Sequence, residues 1–388
     1  MKKTRIGIIG LGNMGSTHAV KIAKGMVKHM EIGALCDIDP DRIAWAKKTL
    51  PDYPVFDNAT DMYKSGLIDS VLIAVPHYDH PPLAIEAFSY GYHVYCEKPA
   101  GVYTKQVLEM NEAAKKSGKV FAIGFNQRTN KSFQKLKNLV ESGQLGHIKK
   151  VIWIITTWYR PQAYHDSSPW RSTWKGEGGG TITNQNPHNL DLFQWIFGMP
   201  SMILSSNDYG KYYDIEVEDD VTALFKYDSG TVGIYTTSTG EYPGTNRLEI
   251  SCDMGKIVCE NDEITFWRNV ESEREYNANF HGIFGSIENW KCEIPVPEEV
   301  KEQHCTLLED FARAIVDGTP LLAPGEEGIK EMTIANAIYY SDWLGNKWVD
   351  LKNFDHEGFY QALQDKIASS TFVKKKSEKK TTSTEGTY

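Results

Sequence analysis

Gly10, Gly12 and Gly15 stand in G-x-G-x-x-G spacing within RIGIIGLGNMGSTH, between an apolar run and a stretch of helical periodicity. A buried strand that enters a helix through three glycines leaves few folds open. Gly10 permits the tight turn, Gly12 lets the backbone approach a pyrophosphate, and Gly15 lets the helix pack close to the strand. With Asn13 and Met14 in the turn, free N–H groups and the helix dipole would face the anion. Glycine-rich turns are common, so the context carries the reading. About 20 residues on, the next strand, EIGALCD, ends in Asp37, where an acid would accept hydrogen bonds from the adenosine ribose. No Arg immediately follows Asp37, so a 2′-phosphate would meet a carboxylate. NAD is expected in preference to NADP.

The rest of the first third agrees. RIGIIG, EIGALCD, SVLIAV, HVYCE and VFAIGF read as buried strands, alternating with the helical stretches THAVKIAKGMVKH, PDRIAWAKKTL, PLAIEAFSYG and KQVLEMNEAAKKSG. Strand–helix repetition with short connections implies parallel pairing and right-handed crossovers, an α/β Rossmann domain over residues 1–124. After Gly124 the rhythm changes. Helices SFQKLKNLVESG and 187–197 alternate with the strand runs KKVIWIITTWY, DVTALFKY, TVGIYTTS, RLEISCD and GKIVCEN. Two later helices span 303–317 and 325–344. This predicts an α+β substrate-binding and oligomerisation domain over 125–365 with an open, largely antiparallel sheet. Residues 366–388 read as a disordered tail, its 374–380 lysine cluster included.

At 388 residues the chain exceeds what one core usually supports, which favours two domains. The formal net charge of −9 weakens any case for nucleic acid, whose partners carry a basic face. Cys36, Cys96, Cys252, Cys259, Cys292 and Cys305 lack C-x-x-C spacing, so neither a disulfide framework nor a metal site is expected. The chain enters a strand within a few residues, and no apolar run approaches the ~20 residues that span a bilayer. The expectation is a cytoplasmic protein with no membrane partner.

Two segments carry candidate chemistry. One strand ends in Tyr95-Cys96-Glu97-Lys98-Pro99, and in open α/β sheets ligands gather at the carboxyl ends of strands. Lys98 would bring an ammonium beside the nicotinamide. In GGGTITNQNPHNLDLFQW, residues 178–195, Asn184, His188 and Asp191 fall at roughly helical spacings and can share one face. His188 has an ordinary pKa near neutrality, and alcohol oxidation needs a base for the hydroxyl proton. The stretch 156–174, TTWYRPQAYHDSSPWRSTW, is dense in aromatics that could stack on sugar rings, with Tyr159, Arg160 and Tyr164 as candidate contacts.

GLGNMG, then EKP, then GGG-x-x-x-N-Q-x-x-H-x-x-D, in that order, resemble the Gfo/Idh/MocA oxidoreductases, and the likeness runs over residues 5–351. The resemblance implies that Lys98 contacts the reacting hydroxyl, that His188 acts as base or shares that role, and that the substrate is a sugar, inositol or sugar nucleotide. It also implies that Ala74, Val75, Pro76 and His80 of AVPHYDH, Glu97, Asn126 of GFNQR, and Trp170-Arg171 line the nicotinamide half of the cofactor. Homo-oligomers, dimers or tetramers, follow from the same likeness. Many members have Asp where this chain has Asn184, and Asn can orient a hydroxyl but cannot ionise. The N-Q-x-x-H variant resembles the branch that oxidises the C3 hydroxyl of pyranosides. Two other readings stay open: a glycosidase or lyase that retains NAD and works by oxidation and elimination, and a non-catalytic dinucleotide sensor. Steady NADH formation would speak against the first, and the presence of both Lys98 and His188 speaks against the second.

Overall fold

The computed structural model describes residues 2–298 and 300–374. Strands β1 (Thr4–Ile9), β2 (Met30–Cys36), β3 (Val55–Phe56), β4 (Ser70–Ile73), β5 (His93–Cys96) and β6 (Phe121–Ile123) form one parallel sheet in the order β3-β2-β1-β4-β5-β6. The strand order reverses between β1 and β4, and the crevice at their carboxyl ends is the ordinary ligand position of such sheets. Helices α1 (Asn13–Ala23), α2 (Pro40–Thr49), α3 (Ala59–Lys64), α4 (His80–Ser89) and α5 (Thr104–Ser117) make the crossovers. Ile6, Ile8, Val71, Leu72, Ile73, Val94 and Tyr95 are fully buried, as expected of strands covered on both faces. Strand β3 has only two residues and leaves no periodic signal in the sequence.

The second sheet contains β7 (Ile148–Ile155), β8 (Met202–Tyr209), β9 (Glu218–Lys226), β10 (Val232–Ser238), β11 (Asn246–Cys252), β12 (Gly255–Glu260), β13 (Glu263–Asn269), β14 (Asn289–Ile294) and β15 (Val349–Asp350). Their order is β14-β13-β12-β11-β7-β10-β9-β8-β15, antiparallel except for the central β7/β10 pair. Burial alternates with period 2: Val221, Ala223 and Phe225 point into the core, whereas Thr222 and Lys226 are exposed. Each such aliphatic or aromatic side chain contributes about 1.5–3 kcal/mol when fully buried. Helix α6 (Lys131–Glu141) precedes these strands in the chain, α7 (Gln162–His165), α8 (Thr181–Asn184), α9 (Pro187–Phe197), α10 (Glu273–Asn279), α11 (Gln303–Asp317) and α12 (Gly328–Trp343) lie between them, and α13 (His356–Ser369) follows. The packing of α9 on α6 and α12, and of α12 on β8, supplies the helical layer.

Two corrections concern the division of the chain. Although α11 lies within the segment expected to form the second domain, its Leu307, Leu308, Phe311 and Ala312 belong to the core of the first sheet. Its apolar stripe packs on β1 and α1. The tail expected from 366 begins too early, because α13 continues to Ser369 with Phe359 and Leu363 buried one turn apart. Residues 370–374 then return toward the segment 162–177. Ser370 Oγ donates to Glu216, and Lys374 Nζ donates to the carbonyls of His165 and Arg171. The remainder of the expected tail, residues 375–388, lies outside the described residues. All six cysteines are free. No helix among the described residues is long and apolar enough to cross a membrane.

Candidate active site

The cofactor end is made mostly of backbone. Gly10 has φ +87°, and a side chain there would put Cβ 2.4 Å from the carbonyl oxygen of Ala74, at the end of β4. The two switch-point strands therefore touch through a glycine. At Gly12, by contrast, a Cβ would meet nothing within 4 Å, so the open space lies where a pyrophosphate would approach the start of α1. Asp37 Oδ2 accepts from Leu11 N–H at 2.6 Å and Oδ1 from Asp39 N–H at 2.8 Å, which fixes the carboxylate beside the turn. At the end of β6, Asn126 Nδ2 donates to Gln303 at 3.0 Å, while its Oδ1 is buried without a hydrogen-bond partner. A carboxamide N–H₂ would satisfy that acceptor. The residues present fit a dinucleotide.

Glu97 is a buried carboxylate with His18 Nε2 2.7 Å from its Oε1. Burial pushes its pKa up, but the His18 hydrogen bond and the charges of His18, His304 and Lys98 outweigh that and bring it to about 2. The donor atoms of His18, Glu97 and His304 lie within 4.8 Å of one another, a set that could ligate a divalent cation. The adjacent Lys98 ammonium opposes a cation there. The arrangement reads better as an anchor that ties the EKP loop to α1.

The Lys98 Nζ donates to the backbone carbonyl of Asn184 at 2.9 Å, joining the end of β5 to α8. Burial lowers the Lys98 pKa, with Glu97 opposing and Arg171 assisting. His188, in the first turn of α9, is buried, and its pKa falls well below the ordinary value through burial first and the Lys98 charge second. The elements that hold the pair are carboxylate-capped. Glu218 accepts from the N–H groups of Gly180 (2.9 Å) and Ile182 (2.8 Å) and from Tyr339 Oη (2.7 Å). Burial raises its pKa to about 7 against those hydrogen bonds. A Cβ at Gly180 would fall 2.1 Å from the Glu218 carbonyl oxygen, which is why the run of glycines is needed.

Asp191 does not join His188 as the shared-face spacing suggested. Asn184 ends α8, and α9 starts afresh at Pro187, so the three residues are not on one helix. Instead Asp191 takes a two-point ion pair from Arg128, 2.8 Å to Nε and 2.6 Å to Nη2, with both side chains fully buried. Arg128 Nη1 also reaches Leu322 O and Glu327 Oε2. This pair ties α9, and with it His188, to the 126–129 turn that follows β6.

The expected role of Asn184 needs revision as well. Its Nδ2 donates to Glu177 and its Oδ1 accepts from Tyr164 Oη at 3.3 Å, so the amide braces two side chains and does not stand open to a substrate hydroxyl. Glu177, buried immediately before the three glycines, further accepts Ser172 N–H at 2.5 Å and faces Arg171 Nη1 at 3.5 Å. Burial raises its pKa and these partners oppose the rise. Tyr164 also accepts from Arg171 (2.9 Å) and Gln185 (3.0 Å). His80 is a brace too: its ring nitrogens face Pro99 O at 2.7 Å and Val75 O at 2.9 Å, leaving neither for the cofactor. Trp170 packs edge-on to buried His77, 5.6 Å between centroids. Tyr159 is 41% exposed and packs beside Tyr242.

Sequence reasoning missed Glu177, Gln185, Arg128, His18, His304 and Glu331. The last is a fully buried carboxyl on α12 without a hydrogen bond; burial and then Asp191 raise its pKa well above the ordinary range. Isolated acids and arginines carry no spacing signal.

Comparison with known proteins agrees with this architecture. Residues 4–125 match the model of the oxidoreductase family with an NAD-binding Rossmann fold, and residues 133–258 match the GFO/IDH/MocA C-terminal domain. The chain is similar to a myo-inositol 2-dehydrogenase of Thermotoga maritima, 25% identical over 332 residues, covering 84% of this chain and 92% of that one. It shares its fold with the WlbA dehydrogenase of Bordetella pertussis in complex with NADH and UDP-GlcNAcA, at TM-score 0.75 and 24% identity over 90% of this chain and 99% of that one. A levoglucosan dehydrogenase in complex with NADH and L-sorbose superposes at TM-score 0.74 with 20% identity, again over 90% and 99%. The switch-point crevice, the EKP lysine and the glycine-run histidine thus sit in an NAD-binding Rossmann domain joined to the matching C-terminal domain, and the chain belongs to the Gfo/Idh/MocA family of oxidoreductases.

Proposed function

We propose that the protein is an NAD-dependent dehydrogenase acting on a secondary hydroxyl of a sugar, glycoside or related polyol, with the C3 hydroxyl as the reacting group. One observation carries the reading. His188 is buried in the first turn of α9, and the Lys98 ammonium is fixed at the carboxyl end of β5 by the Asn184 carbonyl at the end of α8, the helix just before it. The Gly10–Gly15 turn and Asp37 would hold NAD, which would supply the hydride acceptor for the carbinol carbon. Lys98 would hold the substrate oxygen and stabilise negative charge developing on it, and His188 would take or relay the hydroxyl proton. The Arg128–Asp191 pair and the Glu218 cap would fix both groups before substrate arrives, which is where orientation gains its effect. The names of the relatives, an inositol dehydrogenase and sugar-bound dehydrogenases, favour a polyol or sugar over an open-chain alcohol.

The test is a panel of pyranosides, glycosides and inositols assayed for steady NADH absorbance with NAD and with NADP. Sustained NADH formation with NAD supports the proposal. Glycoside cleavage without net NADH would support the cofactor-retaining lyase instead, and NAD binding without turnover of any member would support a sensor.

A further inference from the structure

The segment 162–177 touches both halves of the site. Tyr164 Oη donates to Asn184 Oδ1 at 3.3 Å and accepts from Arg171 Nη1 at 2.9 Å, and the backbone carbonyl of the same Asn184 holds Lys98 at 2.9 Å. Toward the first sheet, Tyr78 Oη donates to Trp174 O at 2.8 Å and His77 Nδ1 lies 3.2 Å from Glu177 O. Little regular structure holds this wall. After the four residues of α7 the chain runs through turns as far as the glycines. Within them Ser172 sits at φ 55°, a left-handed conformation that a residue with a side chain keeps only where its surroundings impose it. Some of the imposing contacts are local: Ser172 Oγ meets His165 Nδ1 at 2.7 Å, and its N–H donates to Glu177.

The others come from the far end of the chain. Just past α13, Ser370 Oγ donates to Glu216, whose other carboxylate oxygen accepts Trp174 N–H at 2.9 Å. The same hydroxyl accepts Phe372 N–H at 3.3 Å and turns the chain back along the segment. Lys374 Nζ then donates to His165 O at 2.7 Å and to Arg171 O, so one ammonium bridges the two ends of the 165–171 turn. Charge-assisted hydrogen bonds of this kind are about twice as strong as neutral ones. From Lys374 a continuous line of contacts leads through Arg171, Tyr164 and Asn184 to Lys98.

We infer, on the dehydrogenase reading above, that residues 370–374 are a strap that holds the substrate-side wall in its working shape, with Lys374 as a positioning residue. Without the strap the turn samples open forms that substrate must reorder, and apparent affinity falls with the fraction of molecules whose wall is formed. Helices α8 and α9 keep the Glu218 cap and the Arg128–Asp191 pair, so the step after binding is spared.

Full-length Lys374→Ala, Lys374→Arg and Ser370→Ala, compared with wild type, test this by NADH formation on the sugar that the panel selects and by hydrogen exchange of the 165–177 amides, with the 10–37 amides as internal reference. Lys374→Ala should raise KM for the sugar about ten-fold while kcat and NADH affinity stay within about two-fold. Its 165–177 amides should exchange about ten-fold or more faster, with 10–37 unchanged. Lys374→Arg keeps a cation with several donors and should restore both, whereas Ser370→Ala should move both in the same direction by less. Unaltered exchange in Lys374→Ala overturns the strap. Faster exchange with an unchanged KM, or a Lys374→Arg that behaves as Lys374→Ala does, overturns the positioning role. If wild type oxidises no sugar, the dehydrogenase reading falls, and the strap stands or falls on exchange alone.

Discussion

The proposed cofactor side and the proposed substrate side of the site are built differently. At the proposed cofactor end, the groups are mostly backbone atoms and the Asp37 carboxylate, within or next to a single strand–turn–helix unit, with the Asn126 amide added from the end of β6. At the proposed substrate end, Lys98 is held by the Asn184 backbone carbonyl, Asn184 by Glu177 and Tyr164, and α9, which carries His188, by one buried ion pair. The first kind of site tolerates substitution of neighbouring side chains. The second depends on each member, because a buried polar group that loses its partner bears its full desolvation cost. Mutations at the two ends should therefore separate cofactor binding from turnover and stability.

The sharpest separation is expected at the reacting groups. Lys98→Ala and His188→Ala should each lower turnover by ~10² or more with NADH affinity, read by fluorescence titration, nearly unchanged. Near-wild-type turnover in both would remove these residues from the chemistry. Next comes Asp191→Ala, which leaves the buried Nε and Nη2 edge of Arg128 unpaired, with only Glu327 and Leu322 O on Nη1, and should cost about 3–5 kcal/mol in urea unfolding. A loss under about 1 kcal/mol would mean that Arg128 finds another partner or water, and the lock on α9 would have to be abandoned.

How much of this was legible follows the same divide. The glycine triplet, Asp37 and the alternation of strand and helix are local patterns with fixed spacing, and they placed the cofactor crevice and the sheet around it. Lys98 and His188 were legible only because motifs flank them. Glu177, Arg128 and Gln185 were not, since nothing near them in the sequence says which distant residue they meet. Their partners come from α8, α9 and the 162–172 segment. Asn184 shows the cost of reading spacing alone. A helix interruption at residues 185–186, between α8 and α9, turned a supposed shared face into two separate contacts.

A smaller effect is expected at Asn184→Asp, which places a second carboxylate against Glu177, whose pKa burial already raises. A carboxyl with a raised folded-state pKa gives stability present at low pH and lost as pH rises through that pKa. The Tm of the variant should thus fall more steeply than wild type as pH rises from 5 to 8; parallel curves would place residue 184 away from Glu177. The smallest effect belongs to the cofactor end: Asp37→Ala should raise the KM for NAD about ten-fold and narrow its advantage over NADP, with turnover at saturating NAD little changed. A wild-type preference for NADP would contradict the ribose assignment.

The account rests on hydrogen leaving a ring carbon for the nicotinamide under the control of Lys98 and His188. The direct measurement is mass analysis of the cofactor after one turnover of the sugar that the panel selects, deuterated at C3. The account predicts that the reduced cofactor carries the label, and that the label appears at least ~10² more slowly in His188→Ala. A reduced cofactor that stays unlabelled would contradict it.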